Sequence, residues 1–139
     1  MKKIAIALVA CIALVFAVRA AHAEEAKKSK AVVSFLKGSA VVQKKGAADK
    51  IPAALGMALE EGDRVEAKEN TRLELKLDDG SIIRMGENSV MVIQGMKEDP
   101  ATQTQDTNVK IFMGKMWLNV KKAVGGRRAE FRVETPTVL

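Results

Sequence analysis

An alternation of apolar and polar residues constrains the fold of this chain most strongly. The alternation is clearest at residues 72–77, which run Arg-Leu-Glu-Leu-Lys-Leu. In an extended chain the three leucines face one side and the three charged residues face the other. Shorter runs of the same period occur at residues 33–35, 40–43 and 108–113, and turn signals separate them at roughly ten-residue spacing. The sequence therefore predicts an all-β domain, a stack of short antiparallel strands.

Two glycine-containing segments mark turns between these strands. Residues 56–65 run Gly-Met-Ala-Leu-Glu-Glu-Gly-Asp-Arg-Val, and residues 77–81 run Leu-Asp-Asp-Gly-Ser. Gly62 and Gly80 supply the backbone freedom that tight turns need. The aspartates Asp63 and Asp79 can accept hydrogen bonds from the turn amides. Residues 53–61 have some helical character, but Gly56 interrupts it, and a single turn or bent extended segment is expected.

One hairpin is predicted around Gly125-Gly126, a two-residue turn signal. The pairing places apolar residues on one face and polar or oppositely charged residues on the other. The implied pairs are Leu118–Val133, Val120–Phe131, Asn119–Arg132 and Lys121–Glu130. Trp117 then lies opposite Glu134 on the mostly polar face.

A second hairpin is predicted around Asp79-Gly80. A two-residue turn there would place Leu75 opposite Arg84. A one-residue slip restores an apolar pair of Leu75 with Met85, and it predicts a β-bulge within residues 81–83.

One long polar stretch, residues 98–108, interrupts the apolar pattern. It contains Pro100 and no large apolar side chain. The sequence therefore predicts a surface loop at residues 98–108, within a single domain.

Four pieces of the sequence resemble the FecR domain of bacterial envelope proteins. Residues 56–65 match Gly-x-x-Leu-x-x-Gly-Asp-x-Val, and residues 78–81 end an apolar-Asp-Gly-Ser piece. Residues 114–117 match a Gly-x-x-Trp step, and residues 133–137 match a Val-x-Thr-Pro segment. The resemblance runs from about residue 33 to the last residue, and it implies a twisted β-solenoid-like or sandwich-like stack over residues 31–139. The family pattern continues beyond Thr-Pro, and we expect the domain to be truncated at its C-terminus.

The first 23 residues predict a helical signal peptide. Lys2 and Lys3 form a positive start, residues 4–18 are apolar, and Ala23 ends a small-x-small site before Glu24. The apolar run falls short of the about 20 residues that span a bilayer. We therefore predict cleavage between Ala23 and Glu24, no stable membrane span afterwards, and a periplasmic location in a Gram-negative-type envelope. Residues 24–30 are polar and are expected to form a flexible lead.

An alternative for this segment is a lipoprotein box that ends at Cys11. The apolar run continues well past Cys11, and this position favours the ordinary signal peptide instead. A second alternative is an uncleaved membrane anchor, and the charged Arg19 at the end of the apolar run makes it less favoured.

Removal of residues 1–23 changes the chemistry that the chain can perform. Cys11 and His22 are the only Cys and His, and the net charge falls from +6 to +3 because three basic residues leave. Without His and Cys the domain has no Ser-His-Asp triad, no Cys-His pair and no His or Cys zinc ligand. The remaining acids alternate with basic residues, as on solvated faces. We therefore expect no enzyme activity, no cofactor and no nucleic-acid partner.

Trp117 is the candidate functional residue that the sequence singles out. In the predicted hairpin it shares a face with Asn119, Lys121 and Arg132, and such a face could stack on a sugar ring or anchor a protein partner. The alternative is a buried core position, which we favour since large aromatic side chains are mostly buried. In that case Trp117→Ala should cost about 3–5 kcal/mol of stability.

Three other sets of residues have both a functional and a structural interpretation. A basic hairpin could bind acidic wall polymer or glycolipid phosphate, but a solvated edge is the favoured interpretation. Four turn residues could bind a hard cation, but turn capping is favoured. The six methionines after residue 23 could bind copper, but they are spread over strand positions and core filling is favoured. These sets are Lys121, Lys122, Arg127, Arg128 and Arg132; Asp78, Asp79, Glu87 and Asn88; and Met57, Met85, Met91, Met96, Met113 and Met116.

The resemblance implies a non-catalytic domain that mediates protein recognition in cell-envelope signalling or organisation. In the best-known relatives, a cytoplasmic segment acts on an iron-responsive sigma factor. The sequence predicts a signal peptide in that place, and the chain resembles stand-alone exported relatives more closely. The alternative function is a glycan or cell-wall binding module, which would need an aromatic platform, whereas protein recognition would use an exposed strand edge.

Overall fold

A computed structural model describes residues 29–99, 101, 104–121 and 128–136 of the protein. The described residues form eleven strands and no helix, which confirms the all-β prediction. The predicted signal peptide and residues 24–28 lie outside the described residues. The strands are β1 (Ala31–Lys37), β2 (Ala40–Gln43), β3 (Lys50–Pro52), β4 (Ala58–Leu59), β5 (Arg64–Ala67), β6 (Arg72–Leu77), β7 (Ile82–Met85), β8 (Ser89–Asp99), β9 (Thr104–Met113), β10 (Met116–Asn119) and β11 (Arg128–Glu134).

The strands form two open sheets that share one core. The five-stranded sheet has the order β10-β7-β6-β1-β4, and the six-stranded sheet has the order β11-β9-β8-β5-β2-β3. Neighbouring strands are antiparallel except β11 and β9, which are parallel. Apolar side chains from the inner faces of both sheets meet in a single cluster. Its larger members are Val33, Leu59, Leu73, Leu75, Leu77, Ile83 and Met85 from one sheet and Val42, Val65, Met91, Ile93, Met96 and Val109 from the other.

The period-two pattern predicts the core correctly at β6 and β2. Leu73, Leu75 and Leu77 are buried, whereas Arg72 and Lys76 are exposed. In β2 the two predicted inward residues are buried as well. Leu73 and Leu75 lie between partners in β1 and β7, and neighbouring strands therefore shield these two side chains from water on both sides.

A β-bulge in β1 reverses the expected orientation of Phe35. The register between β1 and β6 shifts between Val33 and Phe35, and Ser34 is left without a partner opposite it. Val33 is buried, but Phe35 is exposed and Leu36 packs against the core in its place. The expectation that Phe35 shares the core face with Val33 is therefore wrong, because the extra residue shifts the alternation by one position.

The Asp63 carboxylate organises the turn that leads from β4 to β5, as the sequence predicts. The residue is only 2% exposed. Its side chain accepts hydrogen bonds from the backbone N–H of Glu60 at 2.9 Å and of Lys45 at 3.0 Å, and from Lys44 Nζ at 2.8 Å. Gly62 precedes it with φ 92°, a conformation that favours glycine. Strand β4 belongs to the five-stranded sheet and β5 to the six-stranded sheet, and the turn therefore connects the two sheets.

The hairpin between β6 and β7 has a different register from the predicted one. Leu75 pairs with Ile83, so the slip occurs in the opposite direction, and the β6–β7 ladder shows no bulge. The extra residue lies in the turn instead, where Gly80 adopts φ 82° and its N–H donates to the carbonyl of Leu77 at 2.9 Å. A three-residue hairpin turn favours Gly in its last position, and the predicted register is wrong because it assumed a two-residue turn.

The predicted surface loop at residues 98–108 is wrong for most of its length. Strand β8 extends to Asp99 and β9 starts at Thr104, with pairs such as Lys97 with Asp106 along the ladder. Gln105 and Thr107 are even buried. Backbone hydrogen bonds hold the two long strands together irrespective of side-chain polarity, and threonine favours extended structure.

The hairpin predicted around Gly125-Gly126 does not form. The turn itself lies outside the described residues, but β10 pairs with β7 and β11 pairs with β9, in different sheets. Leu118 lies opposite Ile83 rather than Val133. An isolated two-stranded hairpin is marginally stable, whereas each strand gains a core-facing side when it extends an existing sheet.

We expect Leu75→Ala to lower the free energy of unfolding by about 2–5 kcal/mol, because it leaves a cavity at a fully buried site. Urea denaturation monitored by circular dichroism measures this change. Lys76→Ala, at the neighbouring exposed position of the same strand, is the control and should stay within about 0.5 kcal/mol of the wild type. Equal losses in the two variants would contradict the assignment of the core face.

We expect Asp63→Asn to cost about 1–3 kcal/mol, because an amide cannot satisfy all three donors around this buried group. Burial raises the pKa of Asp63, but hydrogen bonds from Lys44 and from two backbone amides outweigh burial and hold this pKa below its ordinary value of 3.8. The stabilisation is therefore fully present above pH 3.8 and is lost as the pH falls through the lower pKa of the folded state.

The measurement is urea denaturation of the wild type and of Asp63→Asn between neutral pH and the acid limit of folding. The difference between the two proteins should shrink as the solution becomes acidic. Asp49→Asn, at an exposed position, is the control. A difference that is independent of pH would contradict an ionised Asp63.

Candidate functional site

Four side chains form one continuous row across the outer face of the five-stranded sheet. Trp117 of β10 lies opposite Arg84 of β7, and Arg84 lies opposite Glu74 of β6. Glu74 in turn lies opposite Phe35 of β1. Three strand spacings of about 4.8 Å separate the first strand from the last, and the two aromatic residues therefore lie roughly 14 Å apart along the row. We call these four residues the outer-face row.

An ion pair occupies the middle of the outer-face row. Arg84 Nε lies 3.0 Å from Glu74 Oε2, and Ser34 Oγ donates to Glu74 Oε1 at 3.0 Å. The hydrogen bond from Arg84 lowers the pKa of Glu74 below its ordinary value, against the smaller effect of burial. The carboxylate is therefore ionised at neutral pH. Arg84 remains largely exposed, and part of its guanidinium group is available to a ligand.

The two aromatic side chains at the ends of the row are open to solvent. Trp117 is 57% exposed and Phe35 is 48% exposed. The Trp117 ring lies close to the backbone of Gly86, where a Cβ would stand only 3.3 Å from ring atom Cζ3. The absence of a side chain at Gly86 thus leaves room for the ring. Because Trp117 is exposed, the core position favoured from the sequence is wrong.

An open groove of about 1150 Å³ runs along this face. Its lining residues include both aromatic ends of the row. Four basic and two acidic side chains also line it: Lys37, Arg72, Arg84, Lys115, Glu74 and Glu87. Glu87 accepts a hydrogen bond from the N–H of Asn70 at 2.9 Å, and Glu74 is paired with Arg84. The groove therefore presents an excess of positive charge.

The structure brings three of the four sequence-predicted surface residues together. Trp117, Asn119 and Lys121 follow one another along β10 and the residues directly after it, and all three are exposed. Arg132 lies opposite Asn108 in the six-stranded sheet, and the pair of Arg132 with Asn119 does not exist. The basic hairpin is not formed either: Lys121 follows β10, Arg128 and Arg132 lie in β11 of the other sheet, and Lys122 and Arg127 lie outside the described residues.

Sequence reasoning missed Phe35, Arg84 and Glu74. The charge pair of Glu74 with Arg84 could have been found if the hairpin register had included a three-residue turn. Phe35 carries no local signal of exposure, because only the bulge at Ser34 rotates it outward. Its outward position depends on the pairing of β1 with β6, which are distant in sequence.

The proposed cation ligands are engaged in the structure by other groups. Asp78 accepts the N–H of Lys30 at 2.9 Å, and Asp79 accepts the N–H of Ser81 at 2.7 Å. Within the part of the chain that the structure describes, no group of three acidic residues is arranged to hold a metal ion. Asp79 caps its own turn, as the favoured interpretation expects, whereas Asp78 accepts from an amide distant in sequence.

The methionines are distributed through the fold rather than gathered. Met85, Met91 and Met96 are buried in the core, and Met57 and Met116 pack against it. Met113 is exposed. Core filling, the interpretation favoured from the sequence, is therefore confirmed for five of the six.

The outer face of the six-stranded sheet differs in its electrostatics. Glu66 lies within 2.8 Å of Lys50 Nζ, 3.1 Å of Arg64 Nε and 3.3 Å of Lys68 Nζ. The hydrogen bond from Lys50, together with those from the two other cations, lowers the pKa of Glu66 to about 2 against the effect of burial. The Phe112 ring lies between Arg64 and Lys110, with its centroid 5.2 and 5.3 Å from their charged atoms. Glu66 and Phe112 are therefore both engaged by cations of the same sheet or its adjoining turns.

Comparison with known proteins assigns the chain to a family. A model of the family described as FecR protein matches residues 63–139, which is more than half of the chain. The chain therefore belongs to the FecR family. The match begins at Asp63, so it does not cover the earlier part of the resemblance, residues 33–62. Searches of curated proteins and of solved structures found no match. Among the described residues, no helix has the length and apolar character that a membrane crossing requires.

We expect Trp117→Ala to lower the free energy of unfolding by only about 1–2 kcal/mol, because less than half of the side chain leaves water on folding. The sequence contains one Trp, and its fluorescence therefore reports on this position alone. Acrylamide should quench the folded protein nearly as well as the urea-unfolded protein. Strong protection from quenching, or a loss of about 3–5 kcal/mol in the variant, would restore the buried interpretation.

Proposed function

We propose that this protein is an exported, non-catalytic domain that recognises another protein in cell-envelope signalling or organisation. The observation that carries the proposal is the exposed Trp117 beside Arg84 on an open groove. Trp and Arg are the residues most often found at the energetic centres of protein interfaces. Membership of the FecR family, whose best-known members act in envelope signalling, supports the same direction.

The chemistry of the chain supports a binding role rather than catalysis. The only Cys and the only His of the sequence precede residue 24. Around the groove, the acidic side chains are held by an arginine and by a backbone amide. The predicted signal peptide, with cleavage between Ala23 and Glu24, supports a periplasmic location. The proposed partner is therefore an envelope protein.

A second candidate function is glycan or cell-wall binding. It is favoured by the two exposed aromatic rings, which flank an open groove with charged groups between them. Aromatic faces stack on sugar rings, and the charged groups could hydrogen-bond to hydroxyl groups. Digestion of the cell wall should remove a bound glycan but leave a bound protein, and this difference distinguishes the two functions.

The experiment is site-specific photo-crosslinking of the full chain in the bacterial envelope. A photoreactive residue replaces Asn119, which is exposed on the same strand as Trp117. A second variant carries it at Asp49, an exposed position on the opposite sheet's turn between β2 and β3. We expect a discrete protein adduct from position 119 only, and we expect it to survive digestion of the wall glycan. An adduct that disappears on digestion would support the glycan function instead.

Trp117→Ala should weaken the interaction captured at position 119 by about 30-fold, which corresponds to the roughly 2 kcal/mol of an interface hot spot. Phe112→Ala is the matched control, because Phe112 is a similarly exposed aromatic residue on the other sheet. The measurement is a titration of adduct yield with purified partner. Equal effects of the two variants, or no adduct from a folded protein, would contradict the proposal.

A further inference from the structure

Strand β10 is an edge of the five-stranded sheet. It pairs with β7 on one side, and none of the other described strands pairs with its second side. An open edge presents unpaired backbone N–H and C=O groups to which another strand can add.

The hydrogen-bond pattern identifies which backbone groups face the open side. The N–H of Gly86 donates to the carbonyl of Lys115 at 2.9 Å, in the same register that places Trp117 opposite Arg84. Residues in an antiparallel pair alternate between positions that bond to the neighbouring strand and positions that bond away from it. The backbone groups of Leu118 therefore point towards the open edge.

On the core side, the apolar row of this edge is incompletely covered. Met116 packs against the core. Leu118 and Val120, at the next two positions on the same side, remain 37% and 38% exposed. An added strand would need apolar side chains at alternate positions to cover them.

On the outer face, the same edge carries a row of four side chains with a lysine at each end. Lys115 and Trp117 both lie next to Gly86, and Lys121 lies over Gly80, with Cδ 3.0 Å from where a Cβ would stand. Asn119 lies between Trp117 and Lys121 in the alternation. The order along the outer face is thus Lys, Trp, Asn, Lys, and the ion pairs among the described residues include neither lysine.

We propose that β10 binds an extended segment of the partner protein that carries an acidic side chain at each end of its outer face and apolar side chains on its inner face. The two acids lie six residues apart, opposite Lys115 and Lys121. This inference rests on the proposed function and specifies its ligand. Because the lysine positions are symmetric about Leu118, a parallel and an antiparallel segment satisfy the same pattern. The positive excess of the adjacent groove favours an acidic segment as well.

The same charges argue against a second copy of the chain as the occupant. If two β10 strands paired antiparallel about Leu118, Lys115 of one copy would lie opposite Lys121 of the other at both ends. A parallel pair in register would also place lysine opposite lysine. Like charges directly opposite each other destabilise a strand pair. The edge therefore selects a different, acidic strand.

The test uses the full chain and two synthetic peptides of alternating valine and threonine. One peptide carries glutamates at two outer-face positions six residues apart, and the other carries lysines there. Fluorescence anisotropy of labelled peptide gives the affinity, and amide exchange by nuclear magnetic resonance reports on Leu118. We expect the glutamate peptide to bind at least about tenfold more tightly than the lysine peptide at low salt and to protect the Leu118 amide.

Two variants separate edge pairing from binding to the face. Leu118→Pro removes the N–H that points to the open edge but none that bonds to β7, and it should abolish peptide binding. Leu118→Ala keeps that N–H and should retain most of the binding. The double variant Lys115→Glu with Lys121→Glu should prefer the lysine peptide. If Leu118→Pro does not fold, protection of the Leu118 amide by the glutamate peptide decides whether the edge pairs, and the exchange of preference decides whether the two lysines select the charge.

Several results would overturn the inference. Binding that Leu118→Pro leaves intact would exclude edge pairing, and equal affinity for the two peptides would exclude selection by charge. Protection of the Leu118 amide without peptide would assign the edge to another segment of this chain. A wild-type dimer that Leu118→Pro dissociates would assign the edge to a second copy. If the peptides do not bind but the adduct at position 119 persists, the edge inference fails and the proposed function stands.

Discussion

The buried carboxylate of Asp63 is the interaction on which the arrangement of the two sheets depends. It binds the amides of Lys45, after β2, and of Glu60, after β4, and β2 and β4 belong to different sheets. The N–H of Ile93 donates to the carbonyl of Asp63, and the N–H of Gly62 donates to the carbonyl of Ile93, and these two bonds extend the junction to β8. A buried charge is stable only where several donors surround it, and this requirement fixes the geometry of the crossing. Asp63 thus joins the two sheets at one end of the core that they share.

Local patterns predict the parts of the fold whose causes are local. The leucines of β6 and the turn aspartates follow from alternation and turn chemistry within a few residues. Strand pairing depends on which of several distant segments forms the more stable ladder. The spacing of residues along the sequence does not predict that choice. Hence β10 joins β7 and not β11, although Gly125-Gly126 is a good turn signal. The polar β8–β9 hairpin was missed for another reason, since backbone hydrogen bonds do not require apolar side chains.

The candidate site could be predicted only in part, for the same physical reason. Trp117 stands out because it is the lone Trp, but its exposure depends on the pairing of β10 at the end of a sheet. Phe35 faces outward because a single extra residue, Ser34, shifts the alternation in β1. The outer-face row then combines residues from four strands, and no sequence window contains them all.

The two outer faces show why recognition is expected on one side of the molecule. On the six-stranded sheet, three cations surround Glu66 and two cations flank Phe112, and these groups therefore have partners within the fold. On the five-stranded sheet, Glu74 pairs with Arg84, but the rings of Phe35 and Trp117 on either side of this pair are exposed. Lysines beside an open edge usually prevent self-association. At β10 they flank a Trp and an incompletely covered apolar row, and charges that repel a second copy attract an acidic strand. Protection of the edge and selection of a partner therefore follow from the same two side chains.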